Sequence, residues 1–167
     1  MKGNSVNSQP RYERQHHRAV QDVVEEFLRE ETERKMPGIE LYPAVVGACV
    51  DYVWKRNGKP VYLGEFKRRN NRHDEFPDYM ISASKIVAIQ RRVRMGWVIV
   101  LFTDGLFRIP IVKNMHVDVR DGGRTSQWRD SIERGGERCA FFLPSQMTRF
   151  SRWDDHWDWR ARHGAIL

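Results

Sequence analysis

The sequence predicts an α/β fold: a mixed β-sheet flanked by helices, in the order helix, strand, strand, strand, helix, strand. Three observations carry this. Val20, Val23, Val24, Phe27 and Leu28 recur at helical spacing and form one apolar stripe. Asn57-Gly58 separates two β-rich runs, the pattern of a hairpin. The unbroken apolar run 97–103, WVIVLFT, fits a strand covered on both faces.

The elements follow in order. Residues 1–10 are polar and rich in Asn and Ser, so a disordered lead-in is expected. Residues 11–36 read as the first helix, stopped by Pro37-Gly38. Residues 39–50 are apolar and β-prone and fit a first strand, and 50–67 read as the hairpin. A charged loop covers 68–76. Pro77 and Asp78 suit the first turn of a second helix that continues to about Met95, with Gly96 ending it. After strand 97–103, Asp104-Gly105 turns the chain into a strand over 106–112. Beyond that, CAFFL at 139–143 resembles a strand. The 167 residues suit a single domain over 11–167, with a core at 11–112 and a C-terminal extension at 113–167.

Composition narrows the partners. The formal net charge is +7, which favours polyanions such as nucleic acid. Cys49 and Cys139 form no CxxC pair and sit in apolar runs, so buried free thiols in a reducing compartment are expected. No apolar run reaches membrane-span length, and MKGNSVNSQP lacks the apolar core of a signal peptide. A cytoplasmic location without membrane contact is the expectation.

The second hairpin strand reads Val61-Tyr62-Leu63-Gly64-Glu65-Phe66-Lys67. Side chains alternate along a strand, so Glu65 and Lys67 share a face with Val61 and Leu63. A three-residue loop at 57–59 would pair Asp51 with Glu65 and put Asp51 and Val53 on that face. Tyr52, Trp54, Tyr62 and Phe66 would fill the other face. A two-residue Asn-Gly turn would instead pair Asp51 with Gly64, so a shared face requires the longer loop or a bulge. Two carboxylates at one point suit a hard cation such as Mg²⁺. A bound cation can polarise a phosphoryl oxygen and activate water, while an adjacent lysine orients that water and offsets developing charge. Acid, acid and lysine therefore suffice for phosphodiester hydrolysis.

The stretch VDYVWKRNGKPVYLGEFK resembles the motif of the PD-(D/E)XK nuclease superfamily: an acid, a hairpin, then Glu-x-Lys. The resemblance spans roughly residues 11–112 and is nearest to small resolvase-like and virus-type replication-repair nucleases. It departs from the pattern at Val50, where a proline often stands. It implies a restriction-endonuclease-like fold and a Mg²⁺-dependent endonuclease acting on DNA, with Mn²⁺ able to substitute and branched DNA a candidate substrate. Asp51, Glu65 and Lys67 would be catalytic. The metal would bind Asp51, Glu65 and the backbone carbonyl of Phe66. Those relatives carry a further glutamate on the first helix. Glu13, in Arg11-Tyr12-Glu13-Arg14, is its counterpart, and Glu31 lies in phase with it. Lys85 and Gln90 lie where resolvase-like relatives place polar residues near the active face. The resemblance also implies a homo-oligomer, since symmetric cutting of two strands needs two sites.

Arg68, Arg69 and Arg72 follow the Glu-x-Lys strand and read either as a solvated loop or as a clamp on DNA phosphates. His16 and His17 suit a helix surface, and His116 and Asp118 a surface strand. Trp153, Trp157 and Trp159 could stack on unpaired bases, but the interleaved aspartates favour packing or oligomerisation. Two further functions stay open: a catalytically silent DNA-binding module of the same fold, and an RNA-processing or structural protein.

Overall fold

A computed structural model of the chain describes residues 11–45, 47–122 and 137–162; the side chains of residues 11–17 and 159–162 fall outside that description. A long helix α1 (Arg11–Lys35) leads into strand β1 (Glu40–Pro43) and the hairpin of β2 (Tyr52–Arg56) and β3 (Lys59–Arg68). Strand β4 (Tyr79–Ser82) runs directly into helix α2 (Ala83–Arg92). Strands β5 (Met95–Phe102), β6 (Gly105–Val112), β7 (Asp118–Gly122), β8 (Glu137–Phe142) and β9 (Thr148–Arg149) precede helix α3 (Trp153–Arg162).

The main sheet has six strands in the order β1-β2-β3-β5-β6-β9, and β4-β8-β7 form a small second sheet. Only β3 and β5 pair in parallel within the main sheet, because α2 lies in the crossover between them. Two apolar layers enclose the main sheet. On one face, Val20, Val24 and Phe27 of α1 pack on Tyr52, Trp54, Phe66 and Ile99. On the other, Ile86 and Ile89 of α2 and Ala140 and Phe142 of β8 pack on Leu63, Val98 and Val100. The fold is thus a mixed α/β sheet flanked by helices, consistent with the restriction-endonuclease-like class.

The structure departs from the sequence expectations at several places. The first strand is shorter than 39–50 and ends at Pro43, before the 44–51 connection. Residues 79–82 are a strand rather than the start of the second helix. Tyr79 and Ile81 are buried on one face of β4 and pair with Phe142 and Ala140 of β8, a partner some sixty residues away. That tertiary pairing overrides the local helix-start signal of Pro77-Asp78. The helix ends at Arg92, with Val93 already extended, and Met95 and Gly96 belong to β5. Gly96 is needed for close approach rather than for capping: a Cβ there would lie 2.4 Å from the Leu63 carbonyl oxygen. Cys139 is buried as expected, but Cys49, in the 44–51 connection, is exposed.

The Trp-rich segment forms α3 and packs on α1. Trp153 is buried edge-on against Phe27 at 5.2 Å, and Trp157 lies 5.4 Å from Trp153. Trp159 has its side chain outside the described residues. His116 is exposed, and Asp118 pairs with Arg120 on β7.

Candidate active site

The hairpin turn is a two-residue Asn57-Gly58 turn, with φ of 50° and 74° and Arg56 paired to Lys59. A bulge then shifts the register between Trp54 and Lys55, so Trp54 pairs with Tyr62 and Lys55 with Pro60. Of the two routes the sequence leaves open, a longer loop or a bulge, the structure takes the bulge. The bulge also moves Val61 to the α1 side with Tyr62, away from the Leu63 face on which the alternation alone places it.

Beyond the bulge the alternation is regular. Glu65 and Lys67 align with Val98 and Val100 of β5, whose side chains pack on the α2 side. Phe66 aligns with Ile99 on the α1 side. Asp51 sits immediately before β2. Its backbone N–H donates to the Gly64 carbonyl at 2.9 Å, and its Oδ2 accepts from the Phe66 N–H at 2.8 Å. These two bonds bracket Glu65, so Asp51 is held against the backbone on both sides of that residue.

Glu65 is 1% exposed, an unusual placement for a carboxylate. Its Oε1 accepts from Lys67 Nζ at 2.6 Å and lies 3.1 Å from Lys85 Nζ. Lys85, on the first turn of α2, also donates to the Cys49 carbonyl at 3.0 Å and so ties the helix to the connection leading into Asp51. Glu65 Oε2 is buried with no hydrogen-bond partner among the described residues. A bare carboxylate oxygen in a desolvated position is costly unless a cation completes it. The donor set of Asp51 and Glu65 therefore fits a small divalent cation.

The other expected site residues separate into groups. Glu13 lies on α1, but its side chain is outside the described residues, as are those of His16 and His17. Glu31 lies on the opposite side of the sheet from Glu65, buried beneath Arg34, Lys35 and Arg152 at 2.7–3.1 Å. Burial acts to raise its pKa, but Arg34 and Lys35 outweigh it and hold the carboxyl down at about 2. Gln90 is not brought to the site: its amide donates to the carbonyls of Val112 and Met115. Arg69 lies over the Tyr79 ring and donates to Met80 O. Arg72 donates to Asp74 and lies 3.7 Å from Asp104. The Arg69 and Arg72 guanidiniums are thus taken up by protein contacts, while that of Arg68 has no hydrogen bond or ion pair among the described residues.

One cluster was absent from the sequence reading. His73 Nδ1 lies 2.6 Å from Asp104 Oδ2, the His73 backbone N–H donates to Asp104 Oδ1, and the ring stacks on Phe107. With Asp74 these groups could surround a cation. Asp104 lies two residues past Phe102, the end of β5, which is itself four residues and about 13 Å along the strand from the Val98 that flanks Glu65. The bonds already made pin the 69–78 loop to the β5–β6 turn. His73 and Asp104 are 31 residues apart, a separation that no local pattern signals.

No described helix is long and apolar enough to cross a membrane. No curated protein matches the chain. No solved structure matches it either. A family model described as "Phage putative PDDEXK endonuclease" matches residues 7–135, a span that holds Asp51, Glu65, Lys67 and Lys85. With the hairpin motif and the mixed sheet around it, that match places the protein: the chain belongs to this phage PDDEXK endonuclease family, within the PD-(D/E)XK nuclease superfamily.

Proposed function

We propose that the protein is a Mg²⁺-dependent endonuclease that hydrolyses DNA phosphodiester bonds, with branched DNA as its candidate substrate class. The observation that carries this is Glu65: a buried carboxylate with two ammonium groups on Oε1 and, among the described residues, no partner on Oε2. Asp51 and Glu65, with the Phe66 carbonyl beside them, would hold the cation, and Mn²⁺ would serve in its place. The bound cation supplies a Lewis acid for the phosphoryl oxygen and a source of hydroxide at neutral pH.

The protein's own groups do the rest. Two carboxylates and two ammoniums are formally neutral together, so a divalent cation held among them would give the cluster a positive charge that attracts the phosphodiester anion. Glu65 Oε1 fixes the position of Lys67 Nζ through one of its three donors. The remaining N–H groups are free to orient the attacking water and to meet the charge that develops on the phosphoryl oxygens. Lys85 holds Glu65 and the Cys49 carbonyl together, which keeps the Asp51 approach in place.

The test is cleavage of supercoiled plasmid, single-stranded DNA, RNA and a four-way junction, each with Mg²⁺, Mn²⁺ or chelator. DNA cleavage that requires the cation supports the reading. Binding of the DNA substrates without cleavage under any condition would establish the silent-module alternative.

A further inference from the structure

A cavity of about 420 Å³ opens at the carboxyl ends of β3 and β5, on the α1/α3 side of the sheet. Its walls include Arg68, Leu101, Arg149, Trp153, Asp154 and Trp157. Arg68 aligns with Leu101 and therefore faces this cavity, while its neighbour Lys67 faces the Glu65 side. The cavity and the acidic site thus open at the same end of the sheet, on its two sides.

We infer that this cavity is a second nucleic-acid subsite, which takes an unpaired nucleotide flanking the cleaved phosphate, with Arg68 on its phosphate and Trp157 stacked on its base. The inference rests on the nuclease reading for the identity of the ligand. Three features of the cavity select that chemistry. Arg68, the last residue of β3, is a cation without a counter-charge among the described residues, whereas Arg69 and Arg72 in the loop that follows are engaged. Trp157 is half-buried, supported from below by Trp153, and offers a π-face that accepts any base. The two aspartates on the wall that would repel phosphate both have cationic or donor partners: Asp154 is held by Arg149 at 2.8 Å, and Asp104 lies 2.6 Å from His73 Nδ1 and 3.7 Å from Arg72. The volume lies within the range of small-molecule pockets. A folded duplex end would not enter, whereas one unstacked nucleotide would. Arg149, Trp153 and Trp157 also lie beyond residues 7–135, so this feature stands outside the span the family model matches.

The test measures binding, in Ca²⁺ or chelator, to three duplexes: blunt, with a four-nucleotide single-stranded tail, and with an abasic tail of equal length. For the unaltered protein the natural tail should bind roughly tenfold tighter than the abasic tail, the scale of stacking one base on an aromatic ring. Trp157→Leu should bring natural and abasic tails to the same affinity. Arg68→Gln should weaken both tails and flatten the salt dependence on tailed DNA by about 0.7, the value for one phosphate on a single strand. Equal binding of natural and abasic tails by the unaltered protein would overturn the inference, whether or not Trp157→Leu folds. So would a Trp157→Leu protein that folds and keeps the difference. Cleavage is scored separately: tail preference with no cleavage leaves the unpaired-nucleotide subsite standing and removes the nuclease reading with its cleaved phosphate, and cleavage without tail preference does the reverse.

Discussion

The two lysines on Glu65 Oε1 make different demands on stability and rate, and a double-mutant cycle separates them. The perturbations are Lys67→Met and Lys85→Met, which keep the aliphatic stems and remove the charges. At 2.6 and 3.1 Å from one carboxylate oxygen, the ammoniums gain about 6 and 5 kcal/mol of gross Coulomb energy at an effective dielectric near 20. Most of that is offset by taking Glu65 out of water, since its side chain is 1% exposed. Either amine alone still gives Oε1 a charged partner, so each single variant should lose about 2 kcal/mol, the scale of one charged hydrogen bond. The double variant leaves Glu65 without a counter-charge and should lose more than the sum, with a coupling of about 1–3 kcal/mol. Urea unfolding at pH 7 without metal reads all four proteins. Additive losses would refute the reasoning, because they would mean that the lysines do not share Glu65.

Three other perturbations follow from the same geometry. Gly96→Ala should destabilise by about 2 kcal/mol or more, read by thermal melting, because its Cβ would meet the Leu63 carbonyl and the Ile89 side chain. A near-neutral result would mean that β5 can move away from β3. Glu31 is held near pKa 2 against an ordinary 4.5, so its contribution is complete above about pH 4.5 and is lost as pH falls towards 2. Allowing for partners that are nearly half exposed, Glu31→Gln should cost about 2 kcal/mol at pH 7 and little at pH 2 in urea unfolding, and a gap unchanged with pH would contradict that account. Asp51→Asn should reduce the rise in melting temperature on adding Mg²⁺, and excess Mn²⁺ should partly restore it; an unchanged Mg²⁺ response would remove Asp51 from the cation site.

Much of the active hairpin is legible in the amino-acid pattern, since Asn-Gly dictates the turn and the Glu-x-Lys alternation puts both charges on one side of β3. A bulge is legible as one of the two ways to bring Asp51 to the Glu65 face, but its position between Trp54 and Lys55, which sends Val61 to the α1 side, is not. There Trp54 and Tyr62 pack against Trp97 of β5, a contact that the hairpin's own sequence does not contain. The reading of 77–82 as helix fails for a similar reason: Tyr79 and Ile81 are held as strand by β8, which arrives from the far end of the chain. Lys85 stands out only as a polar residue on α2, because its meeting with Glu65 depends on how the helix docks across β3. Among these arginines, sequence cannot tell Arg68, which has no partner for its guanidinium among the described residues, from Arg69 and Arg72, whose partners Tyr79 and Asp104 are brought in by tertiary structure.

The most direct test of the central claim is the single-turnover cleavage rate of Lys67→Ala with Mg²⁺, set beside its DNA affinity in Ca²⁺. If Lys67 acts on the attacking water and on charge present only in the transition state, the rate should fall about a hundredfold or more while affinity stays near that of the unaltered protein. Cleavage by Lys67→Ala at the unaltered rate would contradict the account.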